Sequence, residues 1–291
     1  MNGRKEHRLT RIRRRTAALA AGAVNYLVLT AAALLYIAPI LFMVVASFKP
    51  DERVLPEAGT WQAFFPDEVT LDNYAAVFRR VPFGRYMFNS LLITGSIVGG
   101  GLVVNSLAGY ALARLQWRGR GAVFRVVLAL MILPLQAIAV PLFYQTTVLG
   151  WRDTYVVQIV PFVANAFAIY LFYTFFLGMP KELEEAARID GAGVWRTLVE
   201  IVLPNAKPAF AAAAITTFLM YWGLYLWPLM VTTHEDVRPL PLGIATFRTL
   251  PPIQWGDIMA FAVMMVAPVL VVFVIFQRWF VRGVATTGMK G

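Results

Sequence analysis

The sequence predicts an all-α integral membrane protein with six transmembrane helices and one polar helix-turn-helix set between two of them. Three observations carry this. The 291 residues are 59% hydrophobic and only 14% charged, with a mean hydropathy of +0.65, whereas soluble domains are roughly 45–50% apolar and about 25% charged. Six runs are apolar over the ~20 residues that a spanning helix needs. Between the fourth and fifth of them lies a stretch, EEAARIDGAGVWRTLVEIVLP, rich in charge and in helix formers.

Taken in order, residues 1–16 form a basic head and residues 17–48 the first span. A basic head before an apolar run also describes a cleaved signal peptide, but this run far exceeds the 7–15 residues of such a core; it reads as a retained span. Residues 49–85 form an external loop, and residues 86–277 a five-helix core with spans at 86–113, 122–148, 155–177, 208–231 and 258–276. None of these runs has an interior Asp, Glu, Lys or Arg, apart from Arg125 near one end. Within the core, residues 179–207 are the polar loop and residues 233–257 a second external loop. Residues 278–291 are a basic tail.

Orientation follows from the cations. With the N-terminus in the cytoplasm, eighteen Lys and Arg fall on the inside and eight on the outside, as the positive-inside rule requires. Both termini and residues 179–207 are then cytoplasmic. The net charge of +10 is not a nucleic-acid footprint, because the basic residues flank apolar runs and form no soluble basic face. With no cysteine in the chain, disulfides, thiolate metal sites and cysteine nucleophiles are excluded.

The polar loop reads as two short helices. Pro180 suits a first helical turn, and Leu183, Ala186, Ala187 and Ile189 give residues 181–189 an apolar side, with Glu184 and Glu185 on the polar one. Asp190-Gly191 interrupts it, since glycine tolerates the positive φ that ends a helix. Val194, Trp195, Leu198 and Ile201 then recur at helical spacing until Leu203-Pro204.

Glu185-Ala186-Ala187, three residues, Gly191, nine residues, Ile201-x-Leu203-Pro204 resembles the E-A-A-x3-G-x9-I-x-L-P signature of permease subunits of binding-protein-dependent ABC importers, matching at all seven positions. Further resemblance to the maltose and glycerol-phosphate-like second permease subunit runs along the chain. It includes Leu71-x-Asn73-Tyr74, Asn89-Ser90, Ala111-Leu112-Ala113-Arg114, Pro141-Leu142-Phe143, Phe175-Phe176, Leu226-Trp227-Pro228-Leu229 and Arg282-Gly283. The resemblance implies a type I importer permease whose polar loop is a coupling helix docked in the cleft of a separate ATPase. It implies that Glu185 meets a basic residue there, that Ala186 and Ala187 allow close approach, and that Gly191 makes the turn. Asp190 is expected to brace that turn, and Glu182 and Glu184 to lie off the contact. The implied partners are a homologous second permease, two ATP-binding cassette subunits, an extracytoplasmic solute-binding protein and membrane lipid. ATP and Mg belong to the ATPase, and this chain holds no cofactor of its own. The solute class implied is a carbohydrate, polyol or glycerophosphodiester, imported across the cytoplasmic membrane. The tail is expected to reach between the ATPases, and the 233–257 loop to protrude toward the binding protein.

The chain is not its own motor. None of its five lysines follows a glycine, so the G-x4-G-K-[ST] phosphate loop is absent, and with only His7 and His234 a histidine metal centre is unsupported. Gly99-Gly100-Gly101 sits inside a span and reads as a place of close helix packing. An ion-coupled carrier would keep ionisable groups in mid-span, and a membrane-embedded hydrolase would need paired carboxylates or a Ser/His pair near the membrane; neither pattern occurs. The external acids, Asp51, Glu52, Asp67, Glu68, Glu235 and Asp236, read as solvated.

For the solute path the span residues with hydrogen-bonding or stacking capacity are Asn105, Gln136, Asn165, Tyr170, Trp222 and Tyr225, with Gln158 and Trp227 beside them. Asn and Gln also bond helix to helix in lipid, and Trp and Tyr also gather at interfaces. Pro134, Pro141 and Pro161 are points where spans three and four can bend. Trp222 is followed by Gly223-Leu224-Tyr225 where relatives carry an Asn and an acid or amide, Tyr173-Thr174 stands at a position often basic in relatives, and Leu198 stands where they usually have an aromatic.

Overall fold

The computed structural model describes the backbone of residues 2–247, 249 and 251–287, and the side chains of residues 22–276 apart from 248 and 250. The basic head's side chains, the side chains of the tail and residues 288–291 lie outside it, and with them the expectations for His7 and for the tail's reach. Among the described residues the secondary structure is entirely helical.

Two packing units form, residues 1–77 with 254–263, and residues 78–253 with 264–291. In the first, α1 (Asn2–Ser47) contains the apolar stretch Gly22–Ser47, whose most apolar window is wholly unburied within the chain. Leu35 and Tyr36 are more than 70% exposed; surfaces of that kind need lipid or another subunit around them. The loop that follows is folded rather than open. It contains α2 (Asp51–Val54), a 3₁₀ turn (Trp61–Ala63) and the start of α3 (Asp72–Arg80). Lys49 is fully buried, its Nζ 2.9 Å from Glu57 Oε2 and 2.6 Å from the Gln62 carbonyl. Asn73 Nδ2 donates to the carbonyls of Ser47 and Lys49. Three of the acids expected to be solvated are engaged here, Asp51 accepting from the Gly256 amide at 2.8 Å, Asp67 accepting from Gln62, and Glu68 lying 3.2 Å from Arg53 at the surface.

The second unit is built around α4 (Phe83–Arg114), the one long unbroken helix at its centre. Against it pack α7 (Tyr155–Val163), α8 (Ala166–Gly178), α12 (Lys207–Trp222) and α14 (Leu240–Phe247). One apolar cluster, at the Arg114 end, joins Tyr110 and Ala113 to Phe172, Phe176, Leu198 and Val202. The other, nearer Phe83, joins Ile93 and Ile97 to Val157, Phe162, Trp227 and Val231.

The six uninterrupted runs become four segments long enough to span, one of them broken between α7 and α8, and two strongly bent pairs. Gly22–Ser47, Phe83–Arg114, Tyr155–Gly178 and Trp255–Phe276 are long and apolar enough to cross a membrane, and α15 (Trp255–Thr287) continues helical into the tail. The third run splits into α5 (Arg120–Ile132) and α6 (Leu135–Val148), bent by 107°. Pro134 is the cause: it has no N–H to donate, and it holds Leu133 extended at ψ 114°. Pro141 and Pro161, by contrast, remain inside their helices. The fifth run is also not one helix. It ends at Trp222, and after Gly223-Leu224-Tyr225 a separate α13 (Leu226–Val231) begins. Upstream, α12 meets the segment Val194–Asn205 at 74°.

Gly100 and Gly101 face Val163 of α7, while Gly99 faces open space. Within the second unit α4 and α8 come much closer at Gly109, where an added Cβ would lie 2.6 Å from Phe172 Cβ.

Candidate functional site: the polar helix-turn-helix and the polar residues of the spans

The polar stretch folds as α9 (Glu182–Ile189), a turn, α10 (Val194–Thr197), a π-helical turn (Leu198–Val202) and α11 (Leu203–Asn205). Gly191 has φ +79°. Its amide donates to the Arg188 carbonyl at 3.0 Å, and the Ala192 amide to the Ala187 carbonyl at 2.9 Å. This pair of bonds is the Schellman closure that a left-handed glycine permits. The backbone alone closes the turn; the Asp190 side chain is exposed and makes no bond in it.

Burial on α9 does not follow its division into an apolar and a polar side. Of the apolar side, Ala187 is buried while Leu183, Ala186 and Ile189 are exposed, Ile189 at 86%, and so are Val194 and Trp195. Glu184, expected beside Glu185 in solvent, is buried together with Ala187. The reason is Arg114, the last residue of α4, whose Nε lies 3.1 Å from Glu184 Oε1 and whose Nη2 donates to the Met179 carbonyl. A carboxylate follows a buried guanidinium inward, because leaving that cation unpaired costs more than turning a short helix. Glu185, Ala186 and Pro204 are exposed, and Ile201 and Leu203 half-buried. The segment's second half is anchored by Leu198 and Val202 in the apolar cluster with Tyr110 and Phe176. The segment is thus fastened on one side and presents an unpartnered apolar and acidic surface on the other.

The span residues divide differently. Asn105 and Asn165 are brought together at the break between α7 and α8. Asn105 Nδ2 donates to the Val163 carbonyl at 3.0 Å and its Oδ1 accepts from the Asn165 amide at 2.9 Å, supplying the bonds the interrupted helix has lost. Asn165 Oδ1 caps α8 at the Ala168 amide, and its Nδ2 donates to the Tyr221 hydroxyl. Trp222 is buried with Nε1 on the Met265 carbonyl, Gln158 Nε2 donates to the Val237 carbonyl, and Trp227 Nε1 to the Val157 carbonyl. Tyr170 stacks with Phe124 and Tyr173 away from these. Gln136 is exposed beside the Pro134 bend. Tyr225 is 41% exposed and lines an open cavity of about 220 Å³ with Arg238, Thr232, Thr246 and Thr249.

The 233–257 loop does not protrude along its length. Its sequence L-P-L-G-I-A-T-F forms α14, with Leu240 and Phe247 fully buried. Asn89 Nδ2 donates to the carbonyls of Asp236 and Arg238, and the Leu240 amide donates to Ser90 Oγ at 2.8 Å. Residues 233–236 and 251–253 remain exposed. The exposed tip is held by Asp153, a residue without a periodic or motif signal in the sequence. Its backbone is left-handed (φ +54°), its amide donates to the Val231 carbonyl, and its carboxylate accepts from Thr233 Oγ1 at 2.7 Å and the His234 amide at 2.9 Å. Burial pushes the Asp153 carboxyl up, but the hydrogen bonds from His234 and Thr233 outweigh it and hold the pKa at about 2, against 3.8 ordinarily. A depressed carboxyl pKa contributes stability that is complete above the unfolded value and lost as pH falls through the folded one. Proteolysis of the 233–237 tip is therefore expected to be slow and constant from neutrality down to about pH 4 and to accelerate between about pH 4 and pH 2; Asp153→Ala is expected to show the fast rate at neutral pH.

Among the described residues no three His, Asp or Glu side chains gather as a metal site. Residues 105–286 match the family described as "Binding-protein-dependent transport system inner membrane component". The chain is 35% identical over 254 residues to the arabinooligosaccharides transport system permease protein AraQ of Halalkalibacterium halodurans, covering 87% of this chain and 91% of that one. It is 31% identical over 264 residues to the trehalose/maltose transport system permease protein MalG of Thermococcus litoralis, covering 89% and 93%. In three dimensions it is similar to a chain of a bacterial ABC transporter involved in the import of the acidic polysaccharide alginate, with a TM-score of 0.81 at 24% identity over 91% of this chain and 98% of that one. With its seven-position signature carried on a helix-turn-helix fastened beneath helical spans, the chain belongs to the family of inner membrane components of binding-protein-dependent transport systems.

Proposed function

We propose that this chain is the permease subunit of an ATP-driven importer, lining the passage for a carbohydrate or polyol-like solute while a separate ATPase supplies the work. The observation that carries the reading is the outward apolar face of the signature segment. Leu183, Ile189, Val194 and Trp195 are exposed around Glu185 on a segment whose opposite side is locked into the spans. Exposed apolar clusters of this kind mark interaction sites, and a rigidly mounted one can pass a displacement on to the helices behind it. Relatives that handle arabinooligosaccharides and trehalose or maltose support the solute class.

In this reading the working assembly pairs the chain with a homologous permease, two ATP-binding cassette subunits that hold ATP and Mg, and an extracytoplasmic binding protein that meets the exposed 233–236 tip. The chain itself is not catalytic. The charge bias supports cytoplasmic termini and a cytoplasmic signature segment in the cell membrane.

Single cysteines at Glu185 and Ala58, both exposed, in an otherwise cysteine-free chain, are expected to label from opposite sides of sealed membranes; labelling of both from outside would overturn the orientation. In reconstituted complexes Trp195→Asp is expected to abolish ATPase association, and Glu185→Ala to lower transport well below Glu182→Ala. The difference is that removing a partnered interface charge strands its opposite, whereas a solvated helix charge changes stability by about half a kcal/mol or less. Equal indifference to Trp195→Asp and Glu185→Ala would reject the docking surface.

A further inference from the structure

The segment's first half is held differently from its second. Leu198 and Val202 pack into an apolar cluster, but α9 buries only Glu184 and Ala187. Beneath it lies a cavity of about 580 Å³, lined by Arg114, Gln116, Arg120, Lys181, Glu184 and Arg188 among others. A helix over a polar cavity is not supported by close packing. Besides the buried Ala187 and the turn at Gly191, its tie to the spans is Arg114, which projects from the end of α4 with a side chain only 5% exposed. Its guanidinium touches Glu184 in the first turn of α9 and the Met179 carbonyl just past the end of α8. Three elements therefore meet on one guanidinium, which donates a hydrogen bond from Nη2 to the Met179 carbonyl and holds Glu184 by charge at 3.1 Å, with no hydrogen bond from Nε; a planar group of that breadth reaches both partners at once, as a single ammonium would not.

A buried ion pair contributes little net stability, because desolvation offsets the Coulomb attraction, and an apolar pair of similar volume commonly serves the fold as well or better. The charged pair is a poor means of filling space and a good means of holding α9 in one orientation to both helix ends. We propose that Arg114 and Glu184 form a positioning strut, through which displacement of α9 reaches α4 and α8 together. The proposal rests on the docking reading given above, and it assigns Glu184 a role behind the docking face rather than on it.

The test uses the whole complex in proteoliposomes, reading solute transported per ATP hydrolysed alongside thermal stability and ATPase association. The apolar pair Arg114→Met with Glu184→Leu is expected to keep stability and association while transport per ATP falls by about tenfold, within the usual range of coupling between sites. Arg114→Lys, which keeps the charge but loses the planar breadth, is expected to fall between this pair and the native chain. The reversed pair, Arg114→Glu with Glu184→Arg, is expected to recover part of what Arg114→Glu alone loses. Undiminished transport per ATP in the stable apolar pair would overturn the strut, as would a reversed pair that assembles but does no better than the single variant. If Arg114→Glu alone fails to assemble, the apolar pair and Arg114→Lys carry the test. Trp195→Asp, run in parallel, separates the two readings. Loss of ATPase association there, with normal coupling in the apolar pair, rejects the strut alone; retained association rejects the docking surface and the strut with it.

Discussion

Gly109→Val is expected to yield a chain that does not fold to a monodisperse species in detergent or assemble into a complex. An added Cβ would stand 2.6 Å from Phe172 Cβ, 3.0 Å from the Tyr173 nitrogen and 3.1 Å from the Ile169 carbonyl. Two of these three atoms are backbone and the third is rooted in it, so no rotamer change relieves the clash and α8 as a whole must move away from α4. That contact is next to Tyr110 and Phe176, within the cluster that also anchors the signature segment through Leu198 and Val202. Overpacking a well-filled core commonly costs about 1–3 kcal/mol, and separating two helices along their contact is expected to exceed that range. Gly95→Val is the control, because Gly95 lies on the same helix with nothing within 4 Å of an added Cβ; it is expected to leave yield and melting temperature unchanged. Normal folding of Gly109→Val would show that α4 and α8 separate freely at this point.

Gly191→Val is expected to fold and reach the membrane but to lose ATPase association. Here the space around an added Cβ is empty, and the obstacle is the backbone, held at φ +79°. A left-handed conformation costs an ordinary L-residue about 1–2 kcal/mol, and a β-branched one is a steric outlier there. Release of that strain would undo the two bonds from Gly191 and Ala192 that close α9, and with them the angle between Ile189 and the Trp195 turn. Gly191→Asn, which tolerates the left-handed region better, is expected to retain most of the association. Equal activity of the Val and Asn variants would mean that the turn relaxes without consequence. The contrast with Gly109 is direct: one glycine is required by its neighbours, the other by its own dihedral angle.

What could be read from the sequence alone was what depends on local order. Length and apolarity identify a helical membrane chain, and runs near 20 residues coincide with four of its long apolar segments, though not with the bends in the third and fifth runs. Helix formers followed by Asp190-Gly191 locate the end of α9, because a C-terminal glycine acts within its own turn. Proline is also a local signal, but its outcome is not: Pro134 breaks its helix at 107° while Pro141 and Pro161 remain within theirs, since the surrounding packing decides whether the freed carbonyls find partners. Everything that depends on a distant neighbour was left to the tertiary structure. Nothing next to Gly109 distinguishes it from Gly95 or Gly99 until α8 lies against it. Asn105 is an ordinary polar residue in a span until the break at residues 164–165, some sixty positions away, needs its amide. Asp153 reads as one more loop acid until Thr233 and His234 fold onto it. Glu184 looks like its solvated neighbour Glu185, and only Arg114, seventy residues earlier at the end of another helix, turns it inward. Periodicity specifies that a helix has two faces, but which face is buried is set by the charges and cavities it meets. On α9 a buried guanidinium drew Glu184 inward and left Leu183 and Ile189 exposed for a partner.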